Sequence, residues 1–173
     1  MSKEIIASIN TILTHLPKKI INNRNHDAVA TCVLYEISQE MCLHFENAAY
    51  FIYNPDFHLC KGITGIKKKE INNWCNDPWS NITEFENIVK VTDYNKIIKN
   101  TQFCTIFSNK EINAVIEEIK KSLKLEKLEE CHWKLPNNNF GILLYEIVKK
   151  ENNFIEKEYI ENAASLLGFC PIC

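Results

Sequence analysis

Glycine is scarce in this chain, with 4 in 173 residues. None falls in a glycine-rich phosphate cradle: there is no G-x-x-x-x-G-K-[ST] and no G-x-G-x-x-G. Nucleophile-elbow and zinc-protease signatures, G-x-S-x-G and H-E-x-x-H, are also missing, and no Ser-His-Asp set assembles without guesswork. Catalysis is therefore not supported by motif. An excess of charge is lacking too: 20 basic residues face 22 acidic ones, a net charge of −2. Nucleic-acid binding by bulk electrostatics usually needs a strong basic excess, so that class is set aside. No apolar run approaches the ~20 residues that span a bilayer. The start, Met1-Ser2-Lys3-Glu4, lacks a basic region followed by an apolar one, so no signal peptide is expected and the expected compartment is the cytoplasm. The sequon at Asn81-Ile82-Thr83 is then chance. In a reducing compartment the eight cysteines, at 32, 42, 60, 75, 104, 131, 170 and 173, are expected as thiols or metal ligands rather than disulfides.

What is present is enough for one folded unit. A chain of 173 residues with 46% hydrophobic content can bury roughly two thirds of its unfolded surface. We expect a single domain over 1–173, with a helix and link over 1–24 and a core over 25–173. Ile5, Ile9, Ile12, Leu13 and Leu16 recur at helical spacing and predict a helix over 3–16, ended by Pro17. Asn25 can cap a second helix over 26–44, with Val29, Val33, Ile37 and Met41 in one stripe. Strands are expected at 48–53 and 57–66 around the turn Asn54-Pro55-Asp56. The middle is harder to read. It holds a short helix over 69–75, a loop over 76–81, short strands at 88–92 and 102–107, and a helix over 110–123.

The last third is the most informative. It reads strand (125–135), Asn-rich turn (137–139), strand (140–149), second turn (151–153) and helix (154–168). The segment Gly141-Ile142-Leu143-Leu144-Tyr145-Glu146-Ile147-Val148 is apolar on both faces. A strand with one wet face alternates, so this one predicts a sheet covered on both sides. In strand 125–135, Cys131, Trp133 and Leu135 share one face and His132 the other. Asn153 with Glu156 forms a cap signature for the last helix.

Two stretches resemble the GAF domain family, a relative of the PAS fold. One is Val33-Leu34-Tyr35-Glu36-Ile37-Ser38-Gln39-Glu40 running into Ala48-Ala49-Tyr50-Phe51-Ile52-Tyr53-Asn54-Pro55-Asp56. The other runs from Gly141 to Glu146 and on through Phe154 to Ala164. The resemblance implies an α+β fold: a central antiparallel sheet with the terminal helices on one face and a pocket or lid on the other. It implies a small-ligand-binding sensory or regulatory protein without intrinsic catalysis. Family members bind cyclic nucleotides, bilins, haem, small anions or amino acids. This chain lacks the motif of the cyclic-nucleotide binders and does not match the cysteine pattern of the stand-alone methionine sulfoxide reductases.

Candidate ligand-binding residues are Tyr50, Ile52, His58, Cys60, Trp74, Trp79 and Tyr145. Strand parity alone does not say which face is the pocket, and the two tryptophans flank a polar loop that they can equally pin by packing. Cys170-Pro171-Ile172-Cys173 is the sharpest local motif, since C-x-x-C can bind metal. Two thiolates fall short of four tetrahedral ligands, so a zinc or iron–sulfur site would need partners such as His58 and Cys60, or Cys131 and His132, whose opposite faces weaken that second pair. The alternative functions are thus a cysteine-coordinated redox sensor, or a protein–protein adaptor with a collapsed pocket. A homodimer through the terminal helices is expected, because the stripe on helix 3–16 wants a cover.

Overall fold

Both faces of a five-stranded antiparallel sheet are covered by helices. The computed structural model describes residues 3–71, 77–104, 112–125, 127–148 and 157–171. The strands are β1 (Phe45–Asn54), β2 (Leu59–Lys67), β3 (Gln102–Cys104), β4 (Glu129–Lys134) and β5 (Phe140–Ile147), in the order β3-β2-β1-β5-β4. The helices are α1 (Lys3–Asn22), α2 (Val29–Ile37), α3 (Ile82–Val91), α4 (Asp93–Lys99), α5 (Ile112–Leu123) and α6 (Lys157–Ser165), with short 3-10 turns at Lys68–Glu70 and Leu166–Phe169. The chain is α+β, and the central β1–β5 pair is antiparallel.

The two-sided strand explains the layering. Gly141 to Tyr145 are all buried. Leu143 and Tyr145 join one core, with Tyr50, Ile52 and residues of α1, α2, α3 and α6. Ile142 and Leu144 join a second core, with Ala49, Phe51, Tyr53 and Cys60 under Tyr94 and Ile98 of α4 and Val115, Ile116 and Ile119 of α5. Burying each such side chain contributes about 1.5–3 kcal/mol, so both faces contribute to holding the sheet. Cys131, Trp133 and Leu135 share the first core, as their parity predicts.

Several boundaries differ from the sequence reading. α1 continues through Pro17 to Asn22. Proline removes one helical donor, but Leu16 and Ile20 on either side are fully buried, and their packing outweighs the lost bond. Of the stripe on this helix, Ile9 and Leu16 are buried within the chain and Ile12 and Leu13 pack partly buried against the same core. α2 is half the expected length: its N-cap is Ala28, not Asn25, and it stops at Ile37, where the Ser38 hydroxyl donates to the Leu34 carbonyl at 2.6 Å. Met41, expected on the buried stripe, is exposed. Residues 88–91, expected as a strand, end α3. That helix starts at a reciprocal cap: the Glu84 amide donates to Asn81 Oδ1 at 3.2 Å and Asn81 Nδ2 to Glu84 Oε2 at 2.9 Å. The cap proposed at Asn153 and Glu156 lies outside the described residues.

α4 was not foreseen, and β2's glycines explain its position. A Cβ at Gly62 would lie 1.9 Å from the Ile98 carbonyl oxygen, and one at Gly65 would lie 3.1 Å from the Tyr94 ring. Only glycine permits this approach of helix to strand. β3 pairs with β2 only over Leu59–Lys61. Beyond it α4 and the residues after it protect the open edge. The Gly62 amide donates to the Thr101 carbonyl at 2.8 Å and the Gly65 amide to Asn95 Oδ1 at 3.0 Å. Thr64 Oγ1 lies 3.3 Å from Asn95 Oδ1 and 2.9 Å from Thr31 Oγ1. A buried polar thread thus joins α4, β2 and α2.

Candidate functional site

The residues proposed for ligand binding divide between places in the fold. Tyr50, Ile52 and Tyr145 belong to the core under the terminal helices, not to the face under α4 and α5. Their rings are committed to packing: Tyr50 stacks on Trp133 at 5.7 Å and Tyr145 on Phe45 at 4.9 Å between centroids. Cys60 belongs to the opposite core. His58 precedes β2, in a left-handed conformation at φ 51°, with its amide donating to the Pro55 carbonyl at 3.2 Å. The same-face argument for His58 and Cys60 assumed a strand at 58, and that assumption fails at the turn. Trp79 is pinned by α1 and α2. Its Nε1 donates to Glu36, which also pairs with Lys19 at 2.8 Å, and the Lys19 ammonium lies 5.6 Å from the Trp79 ring centroid. Trp74 lies outside the described residues.

The proposed metal set does not converge. Cys60 and Cys170 lie in separate cores on opposite faces of the sheet, so no single ion reaches both. Cys173 lies outside the described residues. Among the described residues no three His, Cys, Asp or Glu side chains form a group able to hold a metal ion. The thiols themselves are core residues. Cys32, Cys42, Cys60, Cys131 and Cys170 are all buried. Burial pushes each of these thiols up to about 12, so at neutral pH they are protonated and poor nucleophiles.

A lysine-lined hollow lies at the edge of β2. It has a volume of about 340 Å³ and includes Lys61 of β2, Lys90 of α3 and Lys99 of α4. Ala30 and Thr31 from the first turn of α2 also line it, with Asp27 and Glu86. Lys90 holds Glu86 at 2.7 Å. The α2 N-cap, Ala28, provides no side-chain acceptor, and the first turn has no acidic residue, so no side chain within the helix offsets its positive end. Lysines from three elements thus line one hollow together with a helix start, beside Asp27 and Glu86. Pro171 also lines it.

The lysines were missed from sequence because no local pattern joins them. Lys61, Lys90 and Lys99 are far apart along the chain and alternate with no recognisable motif. The basic run at 67–69, which is visible in sequence, is a surface feature: Lys67 and Lys69 pair with Glu70 and Glu46 at 3.9 and 3.6 Å. Among the described residues no helix is long and apolar enough to cross a membrane. Comparison with protein-family models, curated proteins and solved structures finds no match for this chain.

Proposed function

We propose that this chain is a GAF-like regulatory module that binds a small anionic ligand in the lysine-lined hollow at the open edge of β2. The observation that carries this reading is the convergence of Lys61, Lys90 and Lys99 on one concavity beside the first turn of α2. A carboxylate or phosphate there gains charge-assisted hydrogen bonds from ammonium groups and the favourable end of a helix. The GAF-like part rests on the layering: an antiparallel sheet with α1 and α6 on one face and the middle segment, α4 and α5, on the other. The ligand position differs from the family expectation. The middle of the α4/α5 face is filled by its own side chains, so the hollow at the sheet edge is the better candidate.

Calorimetry with inorganic phosphate, a nucleoside monophosphate and a small dicarboxylate, at constant ionic strength, tests the reading. At least one anion is expected to bind, and to raise the melting temperature by selective binding to the folded state. Lys61→Ala combined with Lys99→Ala is expected to weaken that binding at least tenfold, with the fold intact by circular dichroism. Absence of heat for every anion, or binding unchanged in the double variant, overturns it. The filled α4/α5 face favours a second reading, a protein–protein adaptor with no small ligand, and that result would leave the adaptor standing.

A further inference from the structure

A second polar site lies at the other end of β2, on the α4/α5 face, and does not depend on the lysine hollow. In register, Lys67 of β2, Asn47 of β1 and Glu146 of β5 form one row across the sheet. Alternation from Gly65, Ala49 and Leu144 places all three on the face that α4 and α5 cover. The Tyr94 ring lies over Gly65, one row in, and its amide donates to Glu70 Oε2 at 3.0 Å.

Two polar atoms at this end of the face have no hydrogen-bond partner: the Tyr94 hydroxyl and Asn47 Oδ1, both buried. Tyr94 is 8% exposed. Its hydroxyl titrates higher than usual, first because of burial and then because Glu146 and Glu70 are near, so it stays neutral. Asn47 Nδ2 donates to Glu146 Oε2, which orients the amide and leaves its oxygen open. Lys67, the cation in the row, lies 3.9 Å from Glu70 Oε1. Glu146 also borders an open hollow of about 650 Å³, whose charged lining is Glu46, Glu129, Lys69 and Lys127. Glu146 therefore borders the concavity and, through its bond from Asn47, joins the row that holds the two buried groups without partners. An unmatched buried polar group carries a penalty of about 1–3 kcal/mol, which a bound donor would remove.

We infer that this row is a binding site for the primary ammonium group of a small amine, held by the Glu146 carboxylate, Asn47 Oδ1 and the Tyr94 hydroxyl oxygen. The match is in donor count. An ammonium has three N–H donors and no acceptor, and the site presents three oxygens, one of them charged. The body of the amine occupies that open hollow.

The test uses the full chain and methylammonium chloride, followed by amide shifts in nuclear magnetic resonance at constant ionic strength. Tetramethylammonium, with the same charge and no N–H donor, is the control, and sodium chloride a second. Saturable shifts at Asn47, Tyr94 and Glu146 are expected for methylammonium alone. Glu146→Gln should weaken binding at least tenfold. Tyr94→Phe, which keeps the ring over Gly65, should weaken it severalfold with the fold retained. An equal response to the two controls means unspecific charge screening and overturns the site. No response to methylammonium, with Tyr94→Phe as stable as the parent, means that water alone fills the gap and also overturns it.

Discussion

The two faces of the sheet are built from different parts of the chain, and the difference separates folding from recognition. The first face carries α1 and α2 from the start of the sequence, α6 from its end and α3 from the middle, over stacked aromatic pairs at Phe45–Tyr145 and Tyr50–Trp133. The second carries α4 and α5, both from the middle, over a smaller and mostly aliphatic core. α4 reaches β2 only because two glycines let it approach, and polar groups collect at its two flanks. At one flank Lys99 turns to the lysine hollow; at the other, the Tyr94 hydroxyl is buried and unmatched. The large core fixes the sheet, and the thinner layer brings polar groups to its ends.

Adjacent leucines on β5 test this contrast most strongly. Leu143 faces the first core and Leu144 the second, and both are fully buried. Each Leu→Ala change should destabilise by about 2–5 kcal/mol in urea unfolding, since the transfer and cavity terms are alike. A loss below about 1 kcal/mol for Leu144→Ala alone would mean that α4 and α5 open independently. A smaller effect is expected at the α4 contact. Gly62→Ala drives a methyl group against the Ile98 backbone and should cost about 1–3 kcal/mol. A neutral result, measured by thermal melting, would show that α4 shifts freely and that the hollows at its ends are adjustable.

A further effect, at alkaline pH, is shared by both faces. The buried thiols have folded values near 12 against an ordinary 9.0. A raised value means that the folded state keeps protons the unfolded state releases. This contribution is fully present below pH 9 and is lost as pH rises from about 9 to about 12. Each thiol accounts for at most about 1.4 kcal/mol per pH unit in that window. Urea midpoints at pH 8 and pH 10.5 should differ accordingly, and Cys60→Ala should flatten the slope for the second face only. A stability that stays level across that window would contradict the buried, protonated assignment.

Much of the architecture was readable because it rests on local periodicity. The two-faced pattern of 141–148 led directly to a doubly covered sheet, and Asn54-Pro55-Asp56 to the first hairpin, where the Phe57 amide donates to Asn54 Oδ1 at 3.0 Å. Errors arose where local preference competed with packing. Pro17 looked like a stop, yet buried Leu16 and Ile20 carry α1 past it. Ile88-Val89-Lys90-Val91 looked like a strand because β-branched residues favour one, but the Asn81–Glu84 cap had already started a helix; that signal was in the sequence and was passed over. The candidate sites were not legible. Parity identified which residues share a face, as at Cys131 and Trp133, but not which face was which, and Tyr50, Ile52 and Tyr145 prove to lie in the core under the terminal helices rather than under α4 and α5.

The amino-acid sequence alone determined that β5 must be buried on both sides, that the cysteines are scattered rather than clustered in a framework, and that a hairpin closes at Pro55. These follow from alternation, spacing and turn chemistry, each set by neighbours in the chain. Only the tertiary structure decided that Lys61, Lys90 and Lys99 share a hollow, that Cys60 and Cys170 are kept apart by the sheet, and that Tyr94 lies above the row of Asn47 and Glu146. Those relations join residues remote in sequence, and they exist only once two glycines on β2 let α4 settle against the strand.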